Sequence, residues 1–215
     1  MILFLKFFIG LIIHQLTNFF CNKKNYLLDN PNFSIHKELT KNKNLPLTGG
    51  ITFLILFLIF VDGFIELKIF GSLIFFIGLF SDLNFINSPK LRFFAQIIIT
   101  LLFVSFFQNN VFFTDINIID KFLENYYFSI FFSAFCLLIL INGTNFIDGL
   151  NGLVITYYII VLSILTLASN LFNLYIDLDL VVNLVLILLI LLIFNVTNKN
   201  FIGDSGSYLI SFIIG

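Results

Sequence analysis

Long apolar runs alternate with short polar stretches from one end of the chain to the other. A membrane-spanning helix needs about 20 mostly apolar residues, with a range of ~17–25. On that measure the pattern predicts spans over residues 2–20, 47–64, 66–81, 90–107, 126–142, 152–169 and 178–195. An eighth begins near 205 and is cut off at Gly215. The expectation is therefore an all-α, polytopic integral membrane helix bundle, with about seven complete transmembrane helices plus a truncated eighth. The whole of 1–215 reads as a single membrane-embedded domain, and the stop inside an apolar run suggests a C-terminally truncated fragment.

The polar interruptions are not alike. "VDGFIELK", "NNVFFTDINIIDKFLEN" and "ASNLFNLYIDLD" look like ordinary acidic connectors. The others, "DNPNFSIH", "PLTGG", "SDLNFINSPKLR", "NGTNFIDGLNG" and "NKNFIGDSGS", combine acids, amides, glycines and cations. With alternating spans, all of these second-class clusters fall on one membrane face. Four loops, 21–46, 82–89, 143–151 and 196–204, are expected to meet there in one composite site.

Composition supports the membrane reading. Hydrophobic residues are 60% of the 215, against roughly 45–50% in soluble domains. Mean hydropathy is +1.07. A net charge of −1 gives no basic surface for nucleic acid. Cys21 and Cys136 have no framework spacing, so no disulfide or cysteine metal site is expected. Lys and Arg bias orients the bundle. The face with the chemical clusters carries Lys23, Lys24, Lys37, Lys41, Lys43, Lys90, Arg92 and Lys199, whereas the other carries Lys6, Lys68 and Lys121. The first face is expected to be cytoplasmic, with the N-terminus outside.

Individual residues then acquire candidate roles. Asp204 precedes a small-residue run and an apolar helix in "FIGDSGSYLIS". A helix N-terminus suits an N-cap and also a phosphate, and a carboxylate there can hold Mg²⁺. Phe201 can stack on a base or serve as an interfacial aromatic. Asp82 ends one span, and Lys90 and Arg92 open the next; they read as a border acid with snorkelling cations or as ligands for metal and diphosphate. In "INGTNFIDGLNG", Asn142, Asn145 and Asp148 recur every third residue, which on a helix spreads them over a face about 120° wide. Amides near lipid are costly unless paired, so this stretch is expected to line a polar cavity. Gly143 and Gly149 would let a ligand approach the backbone. His14, His36 and Asn183 carry a structural reading.

Together, "PLTGG", "SDLNFINSPKLRFFAQ", "NGTNFIDGLNGL" and "FIGDSGS" resemble the polyprenyl-phosphate N-acetylhexosamine-1-phosphate transferases (glycosyltransferase family 4), relatives of phospho-N-acetylmuramoyl-pentapeptide transferase. The resemblance covers nearly the whole chain, with the motifs in the family's order. It implies transfer of a HexNAc-1-phosphate from a UDP-sugar to undecaprenyl or a similar polyprenyl phosphate, with release of UMP and a requirement for Mg²⁺. It implies a bacterial inner membrane location, a cytoplasmic active site, and a place at the first membrane step of a cell-surface glycan. By position, Asp204 resembles the metal-binding aspartate and Phe201 the uracil-stacking aromatic. Asp148 and Asn145 resemble polar residues around the diphosphate and Asp82 the second of an aspartate pair, with Asp82 and Asp148 the implied catalytic residues and Asn151 an implied substrate contact. Lys90, Arg92 and Lys199 resemble phosphate contacts. The expected partners are the two substrates and the bilayer, with a homodimer allowed and no nucleic acid.

The chain departs from the pattern. Ser81 stands in place of the first aspartate of the pair, Asn151 in place of a carboxylate, and Ser34 and Ile35 in place of a basic pair. A phosphate monoester has a second pKa near 6, so loss of a base at position 81 does not forbid transfer. Two other readings stand beside the enzyme: a non-catalytic relative that binds nucleotide-sugar or a partner, and a transporter, which would distribute polar groups through the bilayer depth.

Overall fold

The computed structural model describes residues 1–24, 27–28, 45–107, 110–111 and 113–215. The expectations for Asp29, Pro31, Ser34, Ile35, His36, Lys37, Lys41 and Lys43 lie outside the described residues, as does the side chain of Lys24. The described residues form nine helices and no extended strand. In chain order these are α1 (Ile2–Lys24), α2 (Gly49–Phe60), α3 (Ile65–Asp82), α4 (Pro89–Phe107), α5 (Asn117–Leu123), α6 (Tyr126–Ile147), α7 (Leu153–Phe172), α8 (Leu178–Val196) and α9 (Gly203–Ile214).

Helices appear where the apolar runs predict them, and their ends follow local chemistry. Pro89 opens α4, where its missing N–H costs nothing. Asn125 caps α6 by accepting the N–H groups of Tyr127 and Phe128, and Asp177 caps α8 by accepting that of Leu180. Five helices, α1, α4, α6, α7 and α8, are long and apolar enough to cross a membrane. That is fewer than the seven expected. The 12 residues of α2 rise only about 18 Å, because Pro46 and the Asp62–Gly63 turn flank it. Helix α3 includes Glu66, Lys68 and Asp82 within its 18 residues. Helix α5 was not expected. It spans less than two full turns, and Asp120 ties it down by accepting the N–H and hydroxyl of Thr114.

The eighth apolar segment, α9, is the centre of the bundle among the described residues. Every residue of α9 from Ser205 to Ile213 is buried, and the helix packs on α2, α3, α6 and α7. Small residues permit this. A Cβ on Gly50 would lie 2.5 Å from the Gly206 nitrogen, and one on Gly78 would lie 2.5 Å from the Ser205 nitrogen. Backbones therefore meet at α2/α9 and α3/α9, as in other close membrane-helix crossings.

Several polar side chains inside the spans are paired. Asn18 Nδ2 donates to His14 Nε2 at 3.0 Å, while Asn18 Oδ1 accepts from the Thr48 hydroxyl. His14 Nδ1 therefore carries the proton and donates to Thr52 Oγ1 at 2.9 Å. Thr52 in turn donates to Thr17 at 3.0 Å, and Thr17 to the His14 carbonyl at 2.9 Å. Neutral His14 is thus a structural rivet between α1 and α2. Lys6 is held similarly, donating to the Phe60 carbonyl and Asn183 Oδ1, each at 2.9 Å. A cavity of ≈ 470 Å³ opens beside it, lined in part by Asp62, Asp177 and Asp179, at the opposite end of the bundle from Asp204.

Candidate functional site

The described parts of the loops expected to converge do so through hydrogen bonds. Phe201 N–H donates to the Pro46 carbonyl at 3.0 Å, and the N–H groups of Gly49 and Gly50 donate to the carbonyls of Phe201 and Ile202 at 3.0 and 3.1 Å. The "PLTGG" segment thereby grips the turn that launches α9. The end of α3 grips it from the other side. Asp82 Oδ1 accepts the N–H of Asp204 at 2.9 Å, and Oδ2 that of Ser205 at 3.0 Å. Asp82 is an N-cap supplied from another helix, satisfying two donors that α9 cannot satisfy itself. The fit requires a glycine at 203. Its φ is +76°, and a Cβ there would lie 2.8 Å from the Asp82 carboxylate.

Capped in this way, α9 presents Asp204 to a cation. Arg92, one turn into α4, reaches Asp204 Oδ2 with Nη1 at 2.5 Å. Ser81 donates to the same carboxylate oxygen at 2.6 Å and accepts from Arg92 Nη1 at 2.5 Å. Arg92 Nε is buried without a hydrogen-bond partner. The Asp204 side chain keeps 27% of its surface exposed, and among the described residues its hydrogen bonds fall on Oδ2.

The stretch 141–152 supplies a third wall, with a shape that differs from the expected loop. Helix α6 continues to Ile147, because tertiary contacts hold its last turns. Asn142 donates to Gln96 of α4 at 3.0 Å. Thr144 bonds the Tyr158 hydroxyl at 2.6 Å, and Asn145 Oδ1 accepts from Ser207 of α9 at 2.9 Å. Asn142 and Asn145 thus serve two different neighbouring helices. Asp148 follows as the C-terminal cap residue and is half-buried. Burial pushes its carboxyl well above the usual aspartate range, and the nearby Asp204 and Asp82 carboxylates push the same way. Among the described residues, and apart from its own chain neighbours and helix backbone, nothing lies within 4 Å of a Cβ placed on Gly143 or Gly149, so open space adjoins the backbone there.

The remaining expected residues lie around this core. Asn151 is bonded to Asn198 in the α8–α9 turn. Beside it, buried Asn195 accepts the Gly152 N–H at 2.5 Å and donates to the Asn200 carbonyl at 3.0 Å. Lys90 and Lys199 are exposed on the same face, with the Lys199 ammonium 5.8 Å from the Phe194 ring centre. Phe201 is half-buried in the α9 turn.

Sequence reasoning missed Ser81 as a direct partner of Asp204, Asn195 as the clamp between loops, and Gln96 and Ser207 as partners of the amides. Position 81 carried a signal, since it stands beside Asp82. The others read as ordinary polar residues in apolar runs.

The donors suit Mg²⁺, which takes one or two carboxylates with waters and substrate phosphates filling the rest. Among the described residues Asp204 Oδ1 has no hydrogen-bond partner, and no group of three or more His, Cys, Asp or Glu forms an all-protein cage.

Residues 64–215 match the model of the family described as glycosyl transferase family 4. The matched range contains Asp82, Arg92, Asn145, Asp148 and Asp204, and excludes the "PLTGG" segment bonded to it. No curated protein matches the chain.

Proposed function

The chain belongs to glycosyl transferase family 4, and from that premise we propose that this membrane transferase moves a HexNAc-1-phosphate from a UDP-sugar to a polyprenyl phosphate, releasing UMP. The observation that carries the reading is the meeting of Asp204, Arg92 and Ser81, with Asp82 and Asp148 alongside, at one end of the bundle.

Phosphoryl transfer asks the protein mainly for positioning and charge neutralisation. A phosphate oxygen of the lipid bonds to the sugar-bearing phosphorus. The bond from that phosphorus to the oxygen shared with the uridine-side phosphate breaks, and UMP takes the electron pair. The lipid phosphate, with a second pKa near 6, is mostly dianionic at pH 7 and needs no protein base. Asp204 is the residue to hold Mg²⁺, which when bound neutralises charge on the phosphate oxygens. Arg92 supplies a guanidinium for a phosphate oxygen, with Lys90 and Lys199 at the rim. Asp82 sets the start of α9 and hence the position of Asp204. Asn145 and Asp148 wall the diphosphate side, and Phe201 offers a ring for the uracil. The site faces the cytoplasm of a bacterial inner membrane in this account, where UDP-sugars are made.

A second reading, a non-catalytic relative, draws on Ser81 and Asn151. A UDP-sugar labelled in both its sugar and its sugar-bearing phosphate separates the two. The transferase carries both labels together into the lipid extract. Movement of neither label, or of the sugar alone, contradicts the proposal.

A further inference from the structure

We propose that Ser81 is a positioning residue, whose hydroxyl keeps the Arg92 guanidinium at the site when a cation engages Asp204. The inference rests on the functional reading above and concerns the position where the chain departs from the family pattern.

Three atoms form a closed triangle. Arg92 Nη1 lies 2.5 Å from Asp204 Oδ2 and 2.5 Å from Ser81 Oγ, and Ser81 Oγ lies 2.6 Å from Asp204 Oδ2. A hydroxyl donates one hydrogen bond and accepts others, and Ser81 does both here. Among the described residues these contacts fall on Oδ2 and leave Oδ1 for a cation. A cation on Asp204 weakens that residue's hold on the guanidinium and repels it. Ser81 Oγ remains as a neutral acceptor, so Arg92 stays within reach of a phosphate oxygen. Because Arg92 has a second acceptor, it competes less strongly with the cation for the carboxylate. A carboxylate at position 81 would hold the guanidinium more firmly and would add negative charge. The serine is thus a substitute for that carboxylate in holding Arg92.

The test is Mn²⁺ binding to the full chain in detergent, read by electron paramagnetic resonance without substrate or turnover. Ser81→Ala leaves Asp204 as the acceptor of Nη1 among the described residues, so Mn²⁺ affinity falls by about tenfold, the scale of one hydrogen bond to a charged group. Ser81→Thr keeps the hydroxyl and binds as the wild type does. Ser81→Asp binds more tightly than wild type. In an Arg92→Ala background the effect of Ser81→Ala disappears, because the two residues act through one contact. Wild-type affinity in Ser81→Ala overturns the inference while leaving the functional reading in place. So does an undiminished loss in the Arg92→Ala background. A wild-type chain that binds no Mn²⁺, yet transfers both labels to lipid, overturns the inference alone. One that does neither overturns both.

Discussion

Asp82 Oδ1 accepts the backbone N–H of Asp204 at 2.9 Å, joining the end of α3 to the start of α9. The two aspartates therefore have different duties, although both lie among the chemical motifs. One shapes the helix terminus, and the other presents its side chain there.

Replacing the cap separates these duties. Asp82→Ala leaves the N–H groups of Asp204 and Ser205 without their acceptors, at a cost of about 0.5–2 kcal/mol for a lost N-cap. Thermal unfolding in detergent should show the loss, and Mn²⁺ affinity should fall as Asp204 shifts. Asp204→Ala should remove the binding while leaving the α9 cap intact.

The helix crossing admits a steric test. Gly78→Ala places a methyl against the Ser205 backbone. Overpacking of this kind costs about 1–3 kcal/mol. The expected result is a lower unfolding temperature. Gly143→Ala, inside α6 and with open space at its Cβ, should leave the temperature unchanged or raise it slightly, since helical glycine is about 0.5–1 kcal/mol less favourable than alanine.

The amide clamp separates two neighbouring asparagines. Asn195 is 2% exposed, and Asn195→Ala orphans the Gly152 N–H and the Asn200 carbonyl. An unsatisfied buried polar group costs about 1–3 kcal/mol. Asn151 is less buried, and its partner Asn198 is exposed, so Asn151→Ala should cost less. Unfolding of both variants under one set of conditions checks the order.

Asp148 makes the metal-free protein pH-sensitive. Its folded-state carboxyl titrates well above the ordinary range, through burial first and then the Asp204 and Asp82 carboxylates. The resulting stability is full below the unfolded pKa of about 3.9. It is lost as pH rises through the folded value. Unfolding temperature against pH should fall over that window in the wild type; Asp82, pushed up to about 7 by burial and then by Asp204, adds a fall of the same sign, so Asp148→Asn should make the curve shallower without levelling it.

Much of this arrangement was legible in the sequence. Apolar runs located the helices, and span alternation placed Asp82, Asp148 and Asp204 on one face. Other features depended on contacts that periodicity cannot express. The length of α6 past Asn142 comes from Gln96, Tyr158 and Ser207 on three other helices. Polar groups were expected to gather at one edge, yet Ser207 and Ser211 continue along α9 and Gln96 and Thr100 along α4, all buried. They are packed between helices, where hydroxyls can bond backbone carbonyls of their own turn: Thr100 bonds the Gln96 carbonyl and Ser211 that of Ser207. The centrality of α9 was also hidden, because a short apolar run at the end of a sequence does not reveal how many helices surround it.

The most direct measurement is UMP release by the purified chain in lipid, with UDP-HexNAc, polyprenyl phosphate and Mg²⁺ supplied together and omitted one at a time. The account predicts release that needs all three and is abolished in Asp204→Ala. Release that persists without polyprenyl phosphate, or is unchanged in Asp204→Ala, contradicts it.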